Sequence, residues 1–226
     1  SLIAARYRWR SRAQGQHDRT RGLVISSKGA HSSVKQAVLA MDADVIQVPA
    51  DERGRLTRQA LRATIDGLDA VDRDRVFAIV ATSGTTNLGV IDDLAAVADS
   101  CTDINEWGTW FHVDGAYGGA ALCAPSVRHM FDGIERADSF IVDPHKWFFG
   151  PYDSCALVYR NIHDGRRAHT QHAEYLDVLH GDTDDTAPWN EMNPADVAHH
   201  LTRRARGLPM WFSLATHGTD AYTEAM

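Results

Sequence analysis

The stretch "SFIVDPHKWFFGPYD", residues 139–153, sets Lys146 between His145 and the aromatic run Trp147-Phe148-Phe149, directly after a strand-like run that ends at Val142. A lysine in apolar surroundings loses hydration, which favours its neutral amine. A neutral amine is a nucleophile able to form a Schiff base with a carbonyl. The competing reading is a surface lysine whose stem covers the aromatics while its ammonium stays in water. What the rest of the chain delivers to the same place decides between the two.

Short β-rich runs recur along the sequence: "LVIS" (23–26), "DVIQV" (44–48), "RVFAIVAT" (75–82), "TWFHVD" (109–114), "SFIVD" (139–143) and "CALVY" (155–159). Continuous apolar runs of this length predict strands buried on both faces. Helical patterns lie between most of them. "HSSVKQAVLAM" follows the first run, with Ser32 or Ser33 as its cap. "LTRQALRATIDGL" precedes the third, and "IDDLAAVADSC" follows it with acids in its first turn. Strands alternating with helices predict an α/β fold with a mostly parallel sheet flanked by helices. The last two runs are close enough for one antiparallel pairing.

Composition narrows the function classes. The 226 residues are 44% hydrophobic and 23% charged with a net charge of −7, which fits one large domain over residues 1–226. The most basic stretch, "RYRWRSRAQGQHDRTR", is arginine-rich, but its first half suits an amphipathic helix leading into a polar loop, and no nucleic-acid partner is expected. No apolar run reaches membrane-spanning length, and no signal-peptide pattern is present. Cys101, Cys123 and Cys155 are odd in number and lack CxxC spacing, so a reducing cytoplasm is expected. The chain starts inside a helical pattern and stops at "DAYTEAM" without a cap or turn signal, as a segment of a longer polypeptide would. Residues 161–193 are polar, rich in His, Asp and Thr, and without periodicity, which predicts a long mobile loop. After it, the segment from Pro194 returns to helix, broken near Gly207 and Pro209.

Placed on these elements, the polar residues converge. Thr82 closes one strand, Asp114 closes the next, and Lys146 follows the third, at spacings of 32 and 32 residues, about one βαβ unit each. Ligands of open α/β sheets bind outside the carboxyl ends of the strands, so three successive units deliver the three side chains to one edge. Asp114 by itself could be a turn residue. Its context, "HVDGAYGG", supplies Gly115, Ala116, Gly118 and Gly119, small enough for a flat ligand to approach the backbone. A carboxylate facing a pyridine nitrogen keeps that nitrogen protonated and makes the ring an electron sink. Lysine as Schiff-base partner with aspartate at the pyridinium nitrogen is the pair expected for pyridoxal 5'-phosphate.

With "AHSSVKQA", "ATSGTTNLG", "HVDGAYGG", "ADSFIVDPHKWFFGPYDSCAL" and "RRARGLPMWFSLATHGTDAY" in this order, the sequence resembles the pyridoxal-phosphate-dependent group II amino-acid decarboxylases, whose members act on aromatic amino acids, glutamate, histidine and diaminobutyrate. The resemblance implies the large domain of the aspartate-aminotransferase type (fold type I), a homodimer, and loss of the α-carboxylate of an amino-acid substrate. It also implies that the upstream phosphate loop and the C-terminal small domain lie outside this segment. Carried over, Lys146 holds the cofactor covalently, Asp114 pairs with the ring nitrogen, and Ala116 and His31 contact opposite ring faces. Thr82 hydrogen-bonds around the cofactor or Asp114, and His145 sits beside the lysine and the phosphate region. Asp143 occupies a phosphate-side position where aromatic-type members often carry asparagine, and a carboxylate cannot donate there unless protonated.

Tyr175, in "AEYLDVLHG", falls where the family has a mobile catalytic loop whose tyrosine is the proton donor after carbon dioxide leaves. Read without the resemblance, His31 is a helix-start histidine, "SGTT" a turn, and Tyr175 a surface residue. His163, His169, His172 and His180 lack a paired Cys or an HExxH, so no metal is expected. Two alternatives stay open at this point. One is another reaction on the same fold: aldehyde-forming oxidative deamination, transamination or carbon–sulfur cleavage. The other is a non-catalytic dimerisation or binding remnant.

Overall fold

The computed structural model describes residues 1–14, 16–171 and 193–226. Six strands form one sheet: β1 (Leu23–Ser27), β2 (Asp44–Val48), β3 (Val76–Thr82), β4 (Trp110–Asp114), β5 (Ser139–Val142) and β6 (Ala156–Tyr159), in the order β2-β1-β3-β4-β5-β6. The first five run parallel, and β6 pairs antiparallel with β5. All six predicted strands are present, and so is the antiparallel pairing.

The continuous apolar runs are explained by helices on both faces. Val24, Ala78, Val80 and Trp110 pack against α1 (Leu2–Arg12) and α2 (Ser32–Ala40), with Trp9 and Val38 fully buried there. Ile25, Ile79, Ala81, Phe111 and Val113 pack against α3 (Arg58–Asp66) and α5 (Leu94–Asp103). Alternate residues of a strand point to opposite faces, so β3 and β4 fill both cores at once. Each large apolar side chain buried in this way contributes about 1.5–3 kcal/mol. A short helix, α4 (Ala70–Arg75), capped by Asp69, completes the connection into β3; its six charged-rich residues gave no periodic signal.

Several expectations are corrected. The cap of α2 is not a serine but His31, whose ring accepts the Ser33 N–H. The acids of "IDDLAA" do not sit in the helix: Asp93 is the cap of α5, and Asp92 is buried outside it. Within the segment expected to be loop, α6 (Ile162–His169) forms, capped by Asn161 and packed through Gly165, Arg166 and His169. Its burial comes from small and polar residues, which is why hydrophobic periodicity missed it. From Pro194 the chain makes only a short 3-10 turn, Pro194–Val197, and returns to helix at α7 (Gly207–Ala225). Gly207 and Pro209 start that helix instead of breaking it. Proline fits the first turn, where its missing N–H has no partner to lose. The kink lies at Gly218, with φ 69°.

The carboxyl end of β3 is fastened by one buried carboxylate. Asp92 accepts the Leu56 N–H at 2.7 Å and the Thr82 N–H at 2.8 Å, while its own N–H donates to the Thr82 carbonyl at 2.9 Å. Burial pushes Asp92 up from 3.8 to about 6, against the two backbone donors that favour its charge. The folded state therefore holds this proton more tightly than the unfolded chain. The stabilisation is full below the unfolded value and is lost as pH rises through the folded one. We predict that wild type loses about 2–3 kcal/mol relative to Asp92→Asn between pH ~4 and ~6.5, read from denaturant unfolding across that range. A flat difference would mean that Asp92 keeps an ordinary titration in the fold.

Candidate active site

Parallel registry aligns the site. Thr82 pairs with Asp114, and Asp114 with Ile141, so the ends of β3, β4 and β5 present the same face side by side. His31 follows β1, the strand from which the chain departs first to one side (β2) and then to the other (β3). That reversal is the topological switch point, where open α/β sheets leave a crevice. A cavity of about 620 Å³ lies there, lined by His31, Thr82, Asp114, Ala116, Asp143 and Lys146 together with apolar residues of α2. Six of the eight residues expected at the site are thus brought together. His145 is adjacent in sequence but does not line the cavity. Its Nδ1 lies 2.6 Å from the Ser154 carbonyl oxygen, and its ring packs against Tyr152 at 4.6 Å. Tyr175 lies outside the described residues.

Lys146 is not the desolvated amine that its aromatic neighbours suggest. Its side chain is 40% exposed, and Nζ is ion-paired with Asp143 Oδ2 at 2.8 Å. The aromatics turn elsewhere: Trp147 stacks on Tyr117 at 5.3 Å, Phe148 is buried against Tyr222, and Phe149 is exposed with φ 54°. A tight turn separates them from the lysine, with the Lys146 N–H donating to Asp143 O and the Phe149 N–H to Lys146 O. Asp143, expected as a phosphate contact, here accepts from Lys146. Its backbone N–H donates to Ala116 O at 3.0 Å, and the Ala116 N–H donates to Asp114 Oδ1 at 3.1 Å. One backbone segment therefore orients both acids.

The glycines of "HVDGAYGG" also differ from expectation. A Cβ on Gly115 would stand 2.4 Å from the Phe140 ring, and one on Gly118 would stand 2.5 Å from the Ser83 carbonyl oxygen. Glycine is needed there so that this segment can close on β3 and β5. Of the small residues named in the motif, Ala116 is the one that lines the cavity.

One residue of the motif received no role in the sequence reading. His112 lines the cavity two residues before Asp114, on the same strand face. It is buried, its Nδ1 lies 2.9 Å from Ser139 Oγ, and burial pushes it down to about 3, so it is neutral at physiological pH. The signal was the period of two that the strand imposes.

The residues present fit pyridoxal 5'-phosphate. Thr82 Oγ1 is buried at the cavity wall and has no hydrogen-bond partner among the described residues. Buried hydroxyls are normally satisfied, and a polar ring substituent would satisfy this one. Asp114 offers a carboxylate for a ring nitrogen, and Lys146 offers the amine. Among the described residues no cluster of His, Cys, Asp or Glu is arranged to hold a metal ion, and no helix is long and apolar enough to cross a membrane.

Comparisons with known proteins identify the family. The model of the pyridoxal-dependent decarboxylase conserved domain matches residues 1–226. An aromatic-L-amino-acid decarboxylase of Bacillus atrophaeus is 31% identical over 217 residues, covering 95% of this chain and 43% of the relative. A cysteine sulfinic acid decarboxylase of Mus musculus is 40% identical over 157 residues, covering 68% of this chain and 31% of the relative. Among solved structures, Oryza sativa TDC with PLP and tryptamine superposes with a TM-score of 0.83 at 28% identity, covering 99% of this chain and 45% of that one. The chain thus spans less than half the length of these relatives. Matched from its first residue to its last, the chain belongs to the pyridoxal-dependent decarboxylase family.

Proposed function

We propose that the protein is a carboxy-lyase that removes the α-carboxylate of an L-amino acid as carbon dioxide, leaving an amine, with pyridoxal 5'-phosphate as its cofactor. The observation that supports this most directly is the convergence of Lys146, Asp114, Thr82 and His31 on one cavity at the carboxyl edge of the sheet. When bound, the cofactor supplies an electron sink for the pair released from the breaking Cα–carboxylate bond. The chain's own residues do the rest. Lys146, once released from Asp143, provides the amine that holds the cofactor. Asp114, with one oxygen steadied by the Ala116 N–H, keeps the second free to hold the proton on the ring nitrogen. His31 and Ala116 would hold the ring between them, and Thr82 Oγ1 would gain a partner. Holding the substrate so that the scissile bond stands across the ring plane is an orientation effect, the kind that accounts for much of enzymatic rate enhancement.

The carbon that loses carbon dioxide needs a proton, and we assign its delivery to Tyr175. That assignment is supported by the sequence resemblance, since the residue is outside the described part of the structure. We further propose that the protein works as a homodimer in the cytoplasm. Three free cysteines suit a reducing compartment, and the exposed Leu208, Trp211 and Phe212 of α7 suit burial in a larger assembly.

Three expected outcomes test the reading on the full-length protein. Loaded with pyridoxal 5'-phosphate, it should absorb in the visible range, and borohydride treatment with peptide mapping should find the cofactor on Lys146. Lys146→Ala should abolish both signals, and labelling of a different lysine would overturn the assignment. Asp114→Ala should fold but lose about a hundredfold or more in kcat, the scale for removing one essential electrostatic group. Near-normal turnover at saturating cofactor would mean that another group protonates the ring. Tyr175→Phe should still bind substrate yet form amine about 10²–10⁴-fold more slowly, the usual contribution of a general acid. Under air, part of its product should be aldehyde, ammonia and peroxide. Equal amine formation by wild type and variant would make Tyr175 a bystander.

A further inference from the structure

His31 caps α2 with its own ring, and the way it does so decides where the ring carries its proton. The Ser33 N–H donates to His31 Nδ1 at 3.2 Å, and Ser33 Oγ lies 2.9 Å from the same nitrogen. A backbone amide can only donate, so Nδ1 presents a lone pair there. With Nδ1 unprotonated, the ring is neutral and its single proton is on Nε2. The two ring nitrogens point in widely separated directions, so Nε2–H is turned away from the helix end. His31 lines the cavity, on the wall that α2 contributes.

We propose that Ser33, through its hydroxyl and its backbone amide, is a positioning residue that fixes His31 as the neutral Nε2–H tautomer. A substrate carboxylate then meets an uncharged N–H donor. This rests on the decarboxylase reading above. The chemical reason lies in where charge moves. Breaking the Cα–carboxylate bond leaves its electron pair on the Cα side and turns the charged carboxylate into neutral carbon dioxide. An imidazolium paired with that carboxylate would stabilise the starting state more than the transition state and slow the step. Hydrogen bonds involving an ionised donor are roughly twice as strong as neutral ones, so a neutral N–H orients the group with a smaller penalty. No proton leaves Nε2 in this step; the ring only donates a hydrogen bond.

The assignment also accounts for why the cap is a histidine followed two residues later by a serine. Serine or aspartate at the cap position would satisfy the helix end equally well. Neither would leave an N–H facing the cavity. In this arrangement the helix end satisfies its own amide and orders the ring in one contact.

The test is nuclear magnetic resonance of the full-length protein carrying isotope-labelled histidine, near neutral pH, both free of cofactor and loaded with pyridoxal 5'-phosphate. His31→Asn identifies the His31 signals. Wild type should show Nδ1 unprotonated and Nε2 protonated already in the cofactor-free protein. Ser33→Ala keeps the amide donor but removes the hydroxyl, so it should raise the share of the other tautomer and lower kcat about two- to tenfold, the scale of one hydrogen bond, with KM within about twofold. Ser33→Thr, which restores a hydroxyl, should return both readouts to wild type. A wild-type ring protonated at Nδ1, or at both nitrogens, overturns the proposal. So does a Ser33→Ala protein whose tautomer and kcat are unchanged. The tautomer in the cofactor-free protein is independent of turnover, so a protein with the Nε2–H form that decarboxylates no amino acid refutes the functional reading and leaves the tautomer assignment standing.

Discussion

The parallel pairing of β3 with β4 is the constraint on which the site depends. Thr82 opposite Asp114, and Asp114 opposite Ile141, put side chains from separate βαβ units on one face at one edge. Because strand side chains alternate, a slip of one residue would send Asp114 to the opposite face and bring Val113 to the cavity. The register is held by apolar packing on both faces and, at the carboxyl end, by the Ser83 N–H donating to the Asp114 carbonyl at 2.8 Å, while the Asp92 carboxylate ties Thr82 to Leu56. The isolated bridge between Ser83 and Ile91 closes the same corner. A core of this kind tolerates no free adjustment, which is what a site of fixed geometry requires.

Close approach of backbones is the second determinant. Gly84, at φ 102°, and Gly118 meet so tightly that a Cβ on Gly84 would lie 2.5 Å from Gly118 Cα. This contact brings the turn after β3 against the segment after β4, and both then border the cavity. The glycines of the motif therefore act one step away from the cavity. They shape the wall, and Ala116 and Asp114 within the same motif line the cavity.

Electrostatics at the site are arranged as pairs in which one partner is available. Asp143 is matched with Lys146, and Asp114 has one oxygen engaged by Ala116 and one free. His112 is kept neutral by burial, and His31 Nδ1 accepts the Ser33 N–H. The cavity thus brings the carboxylates of Asp114 and Asp143 together with the amine of Lys146 and the rings of His31, His112 and Tyr117, a set suited to a ligand with both a basic ring nitrogen and acidic groups. The ion pair also explains how a lysine next to three aromatic residues stays polar: the turn at 143–149 separates its amine from their rings.

The sequence by itself determined the strands, their parallel order of burial and the antiparallel last pair, because unbroken apolar runs admit few other placements. It also determined that Thr82, Asp114 and Lys146 share an edge, since a spacing of 32 residues is one βαβ unit. It misplaced features that depend on contacts between distant segments. The helix at 162–169 is held by packing of small and polar residues, and the role of the glycines depends on Phe140 and Ser83, far away in the chain. The pairing of Lys146 with Asp143 depends on a turn that aromatic composition does not encode. His112 and the ring-capped start of α2 became visible only when strand faces and helix ends were fixed in space. Local pattern sets which elements form. Which atoms meet is decided by how those elements pack, and the chemistry of this cavity is set at that second level.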